Sequence, residues 1–452
     1  MACISEQHRL SCAVGGIYTV LAIEKFLPIL HTGPGCEVNA AGALTIVNGA
    51  QTPITYIDTS LPCTDFCEED IVFGGNERLR KLVDEALKYF KADLAIIVDG
   101  CAAEIVGDDI GEVAESFEDA DIPTLHASLP GFKGNNLWGH SQILSAIIDQ
   151  YLQPSSEKIK GLANVFGIVP YYDTFWETTL ERLEELLSRL GLTPNIIYGI
   201  GKGKAAIDKI PQAEFNLVIG PWLDLDIAKK LENKFGAPYF HYPVLPTGAS
   251  ETSDFIRAIV EYAGLDKANA ESYIAAREKR FFHKLQRLSN TLIGGIMYPK
   301  RFVINASAGA AVSIARFLIR DAGLIPHRIY IPEDVPEEHQ ARIEQLIREP
   351  VYDTKDIIDY DIKFTDDGGL CESEIKNEDF SLLHVNIFGT TWDELLAKNK
   401  GLPYVAISPP SGDYFVVGKT FFGYDGGLEF IRDLQNDSIR KFLGSGAVAN
   451  VE

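Results

Sequence analysis

Basic residues are scarce in this chain. Among its 452 residues, 41 lysines and arginines stand against 64 aspartates and glutamates, which gives a net charge of −23 at pH 7. Nucleic acids and anionic membrane surfaces attract basic patches, so this charge balance argues against either as a partner. The sequence also has no apolar run of the roughly 18 residues that a membrane helix needs.

The beginning of the chain and its cysteine count bear on the compartment. Residues 1–6 lack the basic stretch followed by an apolar one that marks a secretory signal. Seven cysteines are an odd number in a long chain, which disfavours a disulfide framework and favours a reducing environment. We therefore expect a cytoplasmic protein whose thiols bind metal or are buried as small apolar groups.

Three cysteines share the same kind of surroundings, near glycines and close to an apolar run. Cys12 opens Cys-Ala-Val-Gly-Gly, Cys36 closes Gly-Pro-Gly-Cys after the apolar run 26–31, and Cys101 follows the run 94–99 in Gly-Cys-Ala-Ala-Glu. A thiolate on a short loop after a strand can point into an interface and bind iron, and small neighbours let a bulky cluster approach the backbone. Three such sites predict one shared iron–sulfur centre.

Strand-like apolar runs alternate with helical periodicity along nearly the whole sequence. We predict strands over 94–99, 122–127, 163–170, 215–220, 239–244, 301–306, 328–331 and 381–385, and helices over 77–90, 177–190, 226–235, 268–292, 308–322 and 337–348. This alternation is typical of the α/β class and predicts three Rossmann-like domains with parallel sheets flanked by helices. A polar break at 153–158 and the long helix suggest domains over 1–157, which carries the cluster cysteines, 158–267 and 268–452.

The cysteine segments resemble the component-1 proteins of the nitrogenase superfamily in order, surrounding motif and approximate spacing. The segments that carry the resemblance are 12–36, 71–75 and 100–109, and 217–222, 245–248 and 422–426 follow the same family. The resemblance therefore covers nearly the whole chain and is strongest between residues 10 and 140.

The resemblance implies a two-component reductase. In this family each subunit of an αβ pair supplies three cysteines to an eight-iron P-cluster at the subunit interface. On this chain the ligands would be Cys12, Cys36 and Cys101, with Gly35 and Gly100 admitting cluster sulfurs close to backbone N–H groups. A separate ATP-hydrolysing iron protein would dock on the complex and deliver electrons one at a time.

The same resemblance indicates which subunit this is. An α-type subunit holds the catalytic cofactor through a cysteine and a histidine, which would fall at Gly220 and within 407–412, and this chain has neither. Residues 71–83 are somewhat α-like, but Pro221 and Trp222 favour a β-type subunit. Such a subunit would relay electrons to a cofactor in an α-type partner of an α2β2 heterotetramer, with Phe73 at the docking surface of the iron protein.

Two departures from the family pattern bear on the reaction. Gly131 stands where a β-subunit serine ligates the oxidised P-cluster of molybdenum nitrogenases, which argues against serine ligation here. Cys63 and Cys67 form a Cys-x-x-x-Cys pair that the family does not explain, and a redox or auxiliary metal role stands beside simple burial. Both departures are compatible with a dinitrogen reductase and with a methylthio-alkane reductase.

Two other functions stay open. A cofactor-assembly scaffold shares the fold, although β-type scaffold subunits commonly lack part of the cysteine set that this chain keeps. A dark protochlorophyllide-type reductase shares the fold and the reductase partner, with a four-iron cluster and a tetrapyrrole substrate. Elsewhere we expect structural roles, with no metal bound by Cys3, Cys371, His31 or His126 and with helix N-termini favoured by Asp108 and Asp109.

Overall fold

A computed structural model of the chain describes residues 4, 6–7, 11–44, 61–293, 300–350, 360–380, 384–412 and 415–444. Strands in this part form three parallel sheets flanked by helices, which confirms the predicted α/β class. The strands are β1 (Phe26–His31), β2 (Leu94–Asp99), β3 (Thr124–Ser128), β4 (Ile159–Phe166), β5 (Thr193–Asn195), β6 (Ala213–Ile219), β7 (Tyr239–Tyr242), β8 (Arg301–Asn305), β9 (Ile325–Ile331), β10 (Asp361–Phe364), β11 (Val385–Gly389) and β12 (Tyr404–Ala406).

Helices connect the strands and cover both faces of the sheets. They are α1 (Ile17–Leu21), α2 (Pro34–Gly42), α3 (Glu68–Phe73), α4 (Asn76–Tyr89), α5 (Cys101–Val106), α6 (Ile110–Glu115), α7 (Asn136–Ala146), α8 (Trp176–Leu190), α9 (Lys204–Ile207), α10 (Leu225–Phe235), α11 (Gly248–Tyr262), α12 (Lys267–Ile293), α13 (Ala308–Arg320), α14 (Glu337–Arg348), α15 (Gly369–Ile375), α16 (Thr391–Lys400) and α17 (Gly423–Gly444). None of the described helices is long and apolar enough to cross a bilayer.

The first sheet has the order β1-β2-β3. Every residue of β1 and β2 is buried, as expected for strands of a parallel sheet that is covered on both faces. β1 lies at the edge, where Pro28 is tolerated, and the segment 62–66 runs along it. Leu30 donates to the carbonyl of Pro62 at 2.7 Å and accepts from the Thr64 N–H at 3.0 Å, so this segment closes the open edge.

The second sheet has the order β5-β4-β6-β7 and is crossed by a ladder of buried asparagines. Asn195 donates to Asn164 at 2.8 Å, and Asn164 donates to Asn216 at 2.8 Å. Because buried amides need partners, this ladder fixes the pairing of β5, β4 and β6. The carboxyl ends of the strands thereby come to a common edge.

The third sheet has the order β10-β9-β8-β11-β12. The strand predicted over 381–385 was misplaced, because β11 begins at Val385 and continues to Gly389, while residues 381–383 lie outside the described part. β12 runs for only three residues and was not predicted. One sheet lies in each predicted domain, and the domain bounds themselves stay a prediction.

Candidate cluster site

Two of the predicted ligands meet at the carboxyl edge of the first sheet. β1 and β2 are paired with His31 opposite Asp99, and β3 continues the register with Ser128 opposite Asp99. The loops that follow the three strands therefore leave the sheet side by side. Cys101 is the first residue of α5, directly after β2 and Gly100.

Gly131 is the point where the thiols of Cys12 and Cys101 come together. Its backbone N–H donates to Cys101 Sγ at 3.1 Å. A methyl group at Gly131 would lie 3.0 Å from Cys12 Cβ, 3.1 Å from Cys12 Sγ and 3.4 Å from Cys101 Sγ. Both sulfurs thus lie beside Gly131, where a larger residue would crowd them, and an N–H donor next to them suits thiolate ligands.

The chain reaches this arrangement by pairing two distant segments. Cys12 forms an antiparallel bridge with Asn135, and Asn136 donates to the carbonyl of Ser11 at 3.2 Å. Cys12 is followed by the short 3₁₀ turn Ala13–Gly16, whose residues are all buried. This anchoring holds Cys12 against Gly131, although the two residues are far apart in sequence.

Cys36 lies on the neighbouring loop, in the first turn of α2. Its N–H donates to the carbonyl of Gly33 at 3.1 Å, and the space beside Gly35 is open. Within the described ranges, no three His, Cys, Asp or Glu side chains are close enough to hold one metal ion. Cys12, Cys36 and Cys101 are all half-buried.

This donor set suits a multi-iron cluster better than a single ion, because a cluster spreads its thiolate ligands over several iron atoms. The structure brings Cys12 and Cys101 together and places Cys36 one strand away along the same edge. Ligation by all three stays a prediction.

Close packing between two loops also explains why a glycine stands at position 100. A Cβ at this position would lie 2.3 Å from Thr32 Oγ1, so the glycine lets the loops after β1 and β2 pack against each other. The sequence analysis assigned Gly100 to contact with the cluster, and that contact stays a prediction. The space that a side chain at position 100 would need is occupied by Thr32.

Asp99 is a positioning residue that the sequence analysis missed. Its Oδ1 accepts from the Leu129 N–H at 2.7 Å, which ties the loop carrying Gly131 to the end of β2. Burial raises the pKa of Asp99 to about 7. Nearby Glu104 accepts from the Ser128 hydroxyl at 2.7 Å and from Lys133. The sequence signal that could have identified this residue is an aspartate at the end of an apolar strand, directly before Gly-Cys.

Cys63 and Cys67 lie on the other side of β1, in and just beyond the segment that covers its edge. Cys63 Sγ donates to the carbonyl of Thr32 at 3.3 Å, and burial raises the pKa of this thiol to about 11. Cys67 precedes α3, and its sulfur accepts from Arg78 Nη2 at 3.3 Å. These contacts give both thiols local structural roles.

The remaining polar residues of this edge hold the loops together. His31 is fully buried, and its Nε2 lies 2.9 Å from Asp108 Oδ2, while desolvation lowers the pKa of His31. Asp108 accepts the N–H of Gly75 at the start of α4, and Asp109 caps α6, as predicted for helix N-termini. Cys371 is buried on α15, and Cys3 lies outside the described residues.

Phe73 is 82% exposed at the end of α3. Ile71 and Val72 on the same helix and Ile105 on the adjacent α5 are exposed as well. We call Ile71, Val72, Phe73 and Ile105 the α3–α5 apolar patch. Because α5 begins with Cys101, this patch includes an exposed residue of the helix that carries a candidate ligand.

The positions expected for α-type cofactor ligands lie elsewhere, at a cavity between the second and third sheets. Gly220 follows β6 with φ +124°, and Ile407 follows β12. Both line the cavity, and no described residue that lines it is a cysteine or histidine. The side chains present therefore cannot hold a metal cofactor in the α-type manner.

Comparison with known proteins agrees with this geometry. The sequence is 26% identical over 414 residues to the B subunit of the light-independent protochlorophyllide reductase from Bradyrhizobium sp. (strain ORS 278), covering 88% of this chain and 72% of that protein. The corresponding protein of Methylobacterium radiotolerans is 24% identical over 411 residues, covering 88% of this chain and 70% of that protein.

Among solved structures, one titled nitrogenase Cp1 at pH 6.5 has the same fold, with a TM-score of 0.80 at 18% sequence identity. The match covers 98% of this chain and 94% of the other. The family model of nitrogenase component 1 type oxidoreductases matches residues 11–438. The chain therefore belongs to the nitrogenase component 1 type oxidoreductase family.

Proposed function

We propose that this chain is the β-type, electron-relaying subunit of a nitrogenase-like two-component reductase. The observation that carries the proposal is the meeting of Cys12 and Cys101 at Gly131, beside an N–H donor and where a Cβ would crowd the Cys12 side chain. With Cys36 on the adjacent loop, this edge supplies three half-buried thiols to a cluster shared with an α-type partner.

The chain's own residues would hold one side of an eight-iron P-type cluster. Cys12, Cys36 and Cys101 would bind iron, and the Gly131 N–H would donate to the Cys101 sulfur. When bound, such a cluster accepts and releases single electrons at a potential that hydrogen bonds and burial adjust. Because the three thiols are only half-buried, a partner subunit is needed to exclude water from the site.

An exposed patch and a cavity support the proposed direction of electron flow, from the iron protein through this chain to its partner. The α3–α5 apolar patch offers an exposed surface on the helix of Cys101 and its neighbour α3, where an ATP-hydrolysing iron protein would bind. The cavity at Gly220 and Ile407 lacks cofactor ligands, so the electrons would leave for a cofactor in the α-type partner. An α2β2 heterotetramer working without oxygen in the reducing cytoplasm, on dinitrogen or a methylthio-alkane, is the assembly that this proposal predicts.

The test is the iron and acid-labile sulfide content per αβ pair, after anoxic purification with the co-encoded partner. We expect enough iron for a P-type cluster plus a larger cofactor, and a loss of cluster iron in Cys36→Ala and Cys101→Ala. Cys371→Ala serves as the control, since Cys371 is buried on α15 and is not one of the predicted ligands. Full turnover by the Cys36→Ala protein would refute the proposal.

A second function is favoured by the relatives, which are named as protochlorophyllide reductase subunits. A tetrapyrrole reductase would contain a single four-iron cluster, and its purified complex would show tetrapyrrole absorption after incubation with substrate. A four-iron complement without any reductase activity, together with transfer of a cofactor precursor to another apoprotein, would instead indicate an assembly scaffold.

A further inference from the structure

A cavity of about 70 Å³ lies where the strands of the second and third sheets end. Gly167 follows β4, Gly220 follows β6, Ser307 follows β8 and Glu333 follows β9, and all four line this space. In open parallel α/β sheets, ligands bind outside the carboxyl ends of the strands. Here two sheets present those ends to the same cavity.

One buried hydroxyl group in the cavity wall has no partner within the described chain, and a second hydroxyl lies at the start of α13. Thr174 is 3% exposed, and its Oγ1 makes no hydrogen bond. Ser307 is 7% exposed and precedes α13, yet its side chain does not cap the helix. Because an unpaired buried hydroxyl is unfavourable, Thr174 points to a molecule that pairs with it.

The start of α13 adds donors to the same wall. Its first N–H, that of Ala308, is used by Glu333 at 3.0 Å. Gly309 and Ala310 line the cavity in the first turn, where N–H groups have no partner inside the helix. A Cβ at Gly309 would meet only Pro221 Cδ, at 4.0 Å, so the cavity extends to the helix backbone.

The carboxyl groups of the cavity disfavour an anionic ligand. Glu333 has both oxygens occupied, by Trp222 Nε1 at 2.6 Å and by the Tyr172 hydroxyl at 2.8 Å together with Ala308. Asp173 is partly buried, and its Oδ2 accepts from the Val169 N–H at 2.5 Å. A further negative charge beside the two carboxyl groups would be disfavoured, because it would face a like charge whenever either of them is ionised.

A metal cation is disfavoured by different features. The positive end of the α13 dipole faces the cavity, and the described residues include no group of three ligands able to hold a metal ion. A volume of 70 Å³ accommodates about five water-sized molecules, so a ligand here has on the order of five heavy atoms.

We propose that this cavity binds a small uncharged molecule that carries both a hydrogen-bond donor and an acceptor. The Thr174 and Ser307 hydroxyls and the first turn of α13 supply donors, and the carboxyl group of Asp173 in the cavity wall supplies an acceptor. This site is separate from the cysteine edge of the first sheet, and it holds whether or not the chain carries a cluster.

The test uses three probes of nearly the same size and shape: neutral acetamide, anionic acetate and cationic acetamidinium. Saturation transfer to the methyl group of each probe is measured by NMR with the complex of the full chain and its partner. We expect transfer to acetamide alone. Equal transfer to all three probes, or none to acetamide, would overturn the proposal, the latter showing that the cavity holds water only.

Two variants locate the binding. Thr174→Val removes the hydroxyl at nearly constant volume and should weaken acetamide binding about five- to tenfold, as expected for one lost hydrogen bond. Gly309→Ala adds a methyl group to the cavity without a collision and should abolish binding. Thr178→Val, on α8 and outside this cavity, is the control and should bind like the unmodified protein. Unchanged binding in both cavity variants would refute the assignment.

Discussion

Adding one methyl group at Gly131 is expected to deplete the iron–sulfur site while the rest of the fold stays intact. The new Cβ would lie 3.0 Å from Cys12 Cβ and 3.1 Å from Cys12 Sγ, where ordinary contacts begin at about 3.4 Å. Gly131 does not have a positive φ, so the strain comes from this collision and not from the backbone.

The expected loss of affinity for the cluster can be estimated from the crowding at Gly131. Forcing a methyl group into a packed site costs about 1–3 kcal/mol. If only the loaded state bears this strain, because a bound cluster prevents Cys12 and Cys101 from moving away, the affinity for the cluster falls roughly 5- to 150-fold. The free chain can relax by turning the half-buried thiols outward.

The assay compares iron and acid-labile sulfide per αβ pair with the guanidinium unfolding midpoint of the metal-free chain. Gly42→Ala is the matched control, since nothing lies within 4 Å of a Cβ at the end of α2. We expect Gly131→Ala to lose iron and Gly42→Ala to keep it, with similar midpoints. Normal iron content in Gly131→Ala would refute the argument that both sulfurs need this space.

Three further variants test other parts of the structure. Gly100→Ala should lower the unfolding free energy by about 1–3 kcal/mol, because its Cβ would lie 2.3 Å from Thr32 Oγ1, and Thr32→Ala in the same chain should restore it; no rescue would contradict this packing. Phe73→Ala should reduce turnover driven by the iron protein without shifting the unfolding midpoint, whereas Tyr89→Ala, at a similarly exposed aromatic, should leave turnover unchanged. Burial raises the pKa of Asp173 to about 7, so the folded state binds the extra proton and stability falls as pH rises from about 4 to 7, by up to roughly 4 kcal/mol. In Asp173→Asn, the unfolding midpoint should change less with pH over that window than in the unmodified chain. An equal pH dependence in the two proteins would argue against the raised pKa of the Asp173 carboxyl group.

The parallel sheets could be predicted because their strands are buried on both faces and therefore form continuous apolar runs. The strand Leu94–Asp99 and the helix Glu337–Arg348 have the predicted bounds. The strand at Val385–Gly389 was placed too early, since an apolar run shows that a strand exists better than where it begins. Short strands such as Tyr404–Ala406 have too few residues for a pattern.

The candidate cluster site could be predicted as a set of residues but not as a geometry. The glycine-rich surroundings singled out Cys12, Cys36 and Cys101, and the sequence showed Gly131 only as a missing serine. The contact of Gly131 with two sulfurs depends on pairing between segments far apart in the chain, which no local pattern encodes. The same applies to Asp99, whose partner lies on the next loop.

The bridge between Cys12 and Asn135 sets an order of events during biosynthesis. Cys12 leaves the ribosome early, but the segment that holds it in place follows only after β1, β2 and β3 have been made. At about 5–20 residues per second, that interval is on the order of 10 s. During this time Cys12 lacks the segment that anchors it, so insertion of the proposed cluster would have to wait for the whole first sheet, and protection of the Cys12 thiol from oxidation would have to come from the cell.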